Sequence, residues 1–93
     1  RKQRRRLDHE QQQARATERK RQKQLVAQLE QQIDQLEARQ AAIAAELELP
    51  ATYGTGGRAT ELNREFSQQR ERLAELTPQW EAAATKLVEL EQE

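Results

Sequence analysis

Two apolar series, each recurring every three or four residues, flank one short stretch that holds every glycine of the chain, PATYGTGG at residues 50–57. Counted from Val26, the first series reads Val26, Leu29, Ile33, Leu36, Gln40, Ile43 and Leu47, and its next step falls on Pro50. Proline has no amide hydrogen and its ring clashes with the preceding turn, so the first helix must stop there. Leu49, just before it, is pushed toward extended geometry. After the glycines the pattern restarts at Ala59 and runs through Leu62, Phe66, Gln69, Leu73, Leu76, Trp80, Ala83, Leu87 and Leu90. A repeat of about 3.5 residues favours helices that wrap around each other in a left-handed supercoil. The residues between the seams are mostly Glu, Gln, Arg and Ala, which are good helix formers.

The short connection predicts an all-α fold: an antiparallel two-helix coiled-coil hairpin with a basic N-terminal extension. Helices are expected over about residues 19–49 and 58–92, with the loop at 50–57. Pro50 stops one helix, Gly54, Gly56 and Gly57 let the chain reverse, and Tyr53 either closes the hairpin end or offers an exposed contact. In the expected register Leu47 faces Leu62, Ile43 faces Phe66 and Gln40 faces Gln69. Leu36 then faces Leu73, Ile33 faces Leu76, Leu29 faces Trp80, Val26 faces Ala83 and Gln22 faces Leu87. The two seam glutamines are expected to satisfy each other, since an unpaired buried amide is costly. Trp80 is read as a core residue, with Ala83 and Ala84 leaving room for its ring. Pro78 either kinks the second helix or divides it, with Thr77 as a new N-cap.

A formal net charge of zero conceals a lopsided distribution. Residues 1–24 carry ten Arg or Lys against three acids, whereas residues 25–93 carry six against thirteen. A basic arm on an acidic body points to phosphate or an acidic protein surface as partner, or to a solvated basic helix. The candidate phosphate contacts are Arg4, Arg5, Arg6, Arg15, Arg19, Lys20, Arg21 and Lys23. Extended backwards, the seam becomes polar, so residues 1–18 form an arm or linker, disordered or helical. Such an arm binds nucleic acid with little sequence selectivity and strong salt dependence.

Enzyme chemistry finds no foothold. His9 is the only histidine, there is no cysteine, and no metal site or cofactor is expected. GTGG lacks the lysine that a phosphate-binding loop places after its glycines, and it follows no strand. No apolar run reaches the roughly 20 residues that span a membrane. The chain does not begin with Met, which leads us to expect a piece of a larger protein.

The order of these pieces resembles the C-terminal coiled-coil domain of the ABC-F ATPases, especially the Uup type. The matching parts are LEQQIDQLEARQAAIAAEL (Leu29–Leu47), the bend with Pro50 and Tyr53, LNREFSQQRERLAEL (Leu62–Leu76), and Trp80–Glu81 before a Leu/Glu run. The resemblance implies an accessory tail of a cytoplasmic protein with two ATP-binding cassettes and no transmembrane domain. It implies work on ribosomes and translation, and, for Uup-like tails, DNA binding and genome maintenance. The expected function is therefore a non-catalytic domain touching duplex DNA or ribosomal RNA through its basic N-terminal region, with the parent ATPase domains in cis. Two alternatives are a hairpin that docks on protein and an oligomerising coiled coil from an unrelated factor. A closed intramolecular hairpin is expected to be monomeric.

Overall fold

The first 49 residues contain neither proline nor glycine and are dominated by Gln, Arg, Glu, Ala and Leu. In the computed structural model of the protein, which describes residues 1–92, they form a single helix, α1 (Lys2–Leu47). Of the two states left open for residues 1–18, the helix is the one seen: strong helix formers carry α1 through the arm and past residue 19 without a break. A four-residue 3-10 turn, Pro50–Tyr53, follows, and α2 spans Ala59–Glu91. The two helices lie against each other in a rod of 80 × 16 × 15 Å. Glu93, the last residue of the expected hairpin domain, lies outside the described residues.

The end of α1 falls two residues earlier than the expected Leu49. Leu49 is extended (φ −81°, ψ 128°), as the residue before a proline prefers, and the last turn is closed by the Glu48 amide donating to the Ala45 carbonyl and the Leu49 amide donating to the Glu46 carbonyl. The stretch between the helices holds a built cap. Thr52 Oγ1 donates to the Glu46 carbonyl at 2.5 Å, and Tyr53 Oη donates to the Leu47 carbonyl at 2.6 Å. These bonds occupy carbonyls that a helix end leaves without intrahelical partners. The Tyr53 ring itself stays 62% exposed. Gly56 adopts φ 77°, the left-handed region that glycine enters without steric cost. Gly57 is needed for a different reason, because a Cβ there would collide with the Thr52 carbonyl.

Beyond the cap, every seam residue of both series is buried or half-buried. Ile43 and Leu62, nearest the loop, are sealed at 0% and 1% exposure. Burying a side chain of this size contributes about 1.5–3 kcal/mol. Along the rod, Val26, Leu29, Leu76 and Ala83 form one cluster, with Ile33, Leu36, Trp80 and Leu87 packed on it.

α2 passes through Pro78 as one helix, so Thr77 starts no new segment and, of the two alternatives at Pro78, the division does not occur. Proline removes the amide that would bond the Ala74 carbonyl. On the neighbouring Glu75 carbonyl, the Gln79 side chain donates at 3.2 Å. The expected glutamine pair is also corrected. No hydrogen bond links Gln40 and Gln69, and Gln69 Oε1 is buried without any partner.

Candidate functional site

Ion pairs that flank the seam mark the alignment of the two helices. Arg39 grips Glu65 with two parallel bonds, Nε to Oε2 at 2.8 Å and Nη2 to Oε1 at 3.1 Å. Arg58 meets Glu46 at 3.6 Å near the loop, and Lys86 meets Glu18 at 4.0 Å near the other end. Each of these residues stands one position before a seam residue, and the residue numbers of all three pairs have the same total. All three therefore report a single antiparallel register. Arg39–Glu65 has the planar, bidentate geometry that makes arginine pairs specific. Its hydrogen bond holds the Glu65 carboxyl below the usual glutamate range and raises the Arg39 guanidinium further, against opposing desolvation of both groups.

Where the arm leaves the hairpin, polar residues take over the seam without leaving it empty. Gln22 is 8% exposed, and its Nε2 donates to the Ala83 carbonyl at 2.9 Å. Glu18 reaches Lys86, and Arg19, in line with the seam, is half-buried toward the end where Leu90 is buried. The hairpin thus extends further down α1 than its apolar series alone indicates.

Of the candidate phosphate contacts, Arg4, Arg5, Arg6, Arg15, Lys20, Arg21 and Lys23 are exposed. They surround one continuous helix rather than sharing a narrow face. Arg19 stands apart, because its half-buried position commits part of the side chain to packing. Arginine can still keep its charged head in water while its stem covers apolar surface. Lys2 extends the basic set, and Leu7 lies among it, 57% exposed. His9 is exposed, and among the described residues no group of three or more His, Asp or Glu is placed to hold a metal ion.

Trp80 is half-buried, with its Nε1 donating to Glu30 Oε1 at 3.1 Å across the hairpin. Sequence reading assigned the ring to the core and missed this polar handle. It also missed the three interhelix ion pairs. Their signal was present: opposite charges at the positions just before the seam, in both helices, at matching spacing. The Gln22 clasp had a weaker signal, since a glutamine one step beyond an apolar series is commonplace.

At the loop end, Leu49 and Tyr53 are exposed on the rigid cap. No helix of the described residues is long and apolar enough to cross a membrane. A family model described as the ABC transporter C-terminal domain matches residues 1–85. No curated protein and no solved structure is matched.

Proposed function

We propose a function whose premise is that this chain belongs to the ABC transporter C-terminal domain family, matched over residues 1–85. Membership makes it a non-catalytic accessory domain of an ABC protein. Our reading goes further: the parent is a cytoplasmic ATPase of the ABC-F type, Uup-like, and this tail contacts nucleic acid, duplex DNA or ribosomal RNA, through its basic arm.

One observation carries the reading. Ten Arg or Lys stand on the first 24 residues, and most of them project from a continuous, exposed helix. Like charges gathered on one end of an acidic body oppose each other, and a phosphate backbone relieves that repulsion while releasing its counterions. Because the basic side chains surround the helix, they suit backbone contact rather than base readout. The hairpin acts as a stiff support, since its seam, ion pairs and cap fix one alignment.

Fluorescence anisotropy with labelled duplex DNA and structured RNA at graded salt tests this. Each phosphate contact contributes a slope of about 0.9 to the fall of log affinity with log salt on B-form DNA. Replacing Arg4, Arg5, Arg6, Arg15, Lys20, Arg21 and Lys23 by Gln removes most of that slope while helicity is retained. Absence of binding by the folded native chain at low salt overturns the reading. Equal binding by the neutralised chain assigns the contact to another surface.

A further inference from the structure

Beside the seam, one stripe of α1 advances alternately by four and three residues. Lys2, Arg6 and His9 occupy it at the arm, and Glu30, Asp34 and Glu37 occupy it further along with the same spacing. All six side chains are exposed. Among the described residues none of the three carboxylates joins an ion pair, while Arg6 makes only a loose 3.7 Å contact with Glu10. The groove next to the carboxylates has an apolar floor of Ile33 and Trp80.

We propose that this stripe docks, antiparallel, on the same stripe of a second copy of the chain. Reversing one copy brings Lys2 opposite Glu37, Arg6 opposite Asp34 and His9 opposite Glu30, in register to within one residue. The two-fold axis then passes near Lys20. A two-fold interface makes every off-axis contact twice, so the two ion pairs become four, and each His9 stands beside a Glu30 that already accepts from Trp80 Nε1. Between them Gln13 and Ala16 of one copy run past Ala27 and Lys23 of the other, and the small alanines let the helices approach. Lys20 meets its own copy at the axis and opposes the pairing. The methylenes of Lys2 and Arg6 cover the Ile33 and Trp80 floor while their charges reach the carboxylates.

The seam stays closed within each hairpin, so the expected monomer gives way to a weak dimer held by outer surfaces and dissociated by salt. This pairing uses the arm but does not depend on its binding nucleic acid, and nucleic acid is left out of the test.

The chain has no cysteine, which permits a directional cross-link. Gln13→Cys and Ala27→Cys chains are prepared separately, mixed and mildly oxidised. Both replaced residues are uncharged and exposed. In the proposed dimer residue 13 faces residue 27, whereas two copies of either position stand about 20 Å apart. The mixed 13–27 disulfide is therefore expected to exceed both homodimers several-fold at about 50 mM salt and to lose that excess at about 1 M. Reversing Glu30, Asp34 and Glu37 to Lys in both chains should abolish the excess with helicity unchanged. A statistical mixture of the three disulfides overturns the proposal. So does an excess that survives charge reversal, or a monomer by low-salt sedimentation at high concentration.

Discussion

Replacing Gln69 by Leu should stabilise the hairpin, although it removes a polar residue from a position that polar residues often occupy to specify alignment. Gln69 Oε1 is buried and accepts no hydrogen bond, and Gln40, across the seam, does not supply one. A buried group that has left water without a new partner costs about 1–3 kcal/mol. Leucine at the same place removes that cost and adds partial burial of a larger apolar surface, about 1 kcal/mol for a half-buried side chain. The sum is a gain of about 2–4 kcal/mol. A chain of this size shifts its Tm by about 4–8 °C per kcal/mol, so a rise of at least about 8 °C is expected. Thermal unfolding followed by far-UV circular dichroism measures it. A cycle with Gln40→Leu sharpens the result: the two replacements should show no coupling attributable to a shared hydrogen bond. A Tm that falls or stays level for Gln69→Leu refutes the reasoning and assigns the oxygen a partner, either Gln40 or a bound water.

Two further perturbations address the cap and the ion pair. Gly57→Ala drives a methyl into the Thr52 carbonyl and within 2.8 Å of the Gly54 carbonyl, backbone that cannot move aside without opening the turn. Denaturant unfolding should show a loss of at least about 1–3 kcal/mol, and an unchanged midpoint would mean that the cap is softer than it looks. Glu65 has its pKa lowered, first by its hydrogen bond to Arg39, so the pair's contribution is complete above the ordinary glutamate range and fades as pH falls through the lowered folded value. The native chain should therefore exceed Glu65→Gln in stability at neutral pH and converge with it in acid. A gap that persists at low pH would contradict a charge-based role.

The hairpin was legible because Pro50 and the glycines interrupt two long apolar repeats at one place. Ile43, Leu62 and Val26 could be placed from spacing alone, since burial follows the period of the helix. What spacing cannot resolve is which of several polar partners a side chain chooses. Gln22 and Gln69 are the same residue type, each set against the opposite helix. One donates its amide nitrogen to a backbone carbonyl 2.9 Å away, while the buried amide oxygen of the other accepts from nothing. The arm's helicity was hard to read for another reason. Without an apolar face, periodicity falls silent, and only propensity and the absence of breakers remain to speak for a helix. Ion pairs such as Arg39–Glu65 depend on both helices at once and become visible only when a register has been assumed.

An unbroken α1 also has a mechanical meaning. The basic arm has no joint of its own, because the helix that carries it continues as one wall of the hairpin to Leu47. Whatever grips the cap therefore steers the arm from the far end of an 80 Å rod. A small turn of the cap becomes a sweep of the arm, multiplied by the length between them, and a partner held by the arm would feel the cap's orientation as a change of place.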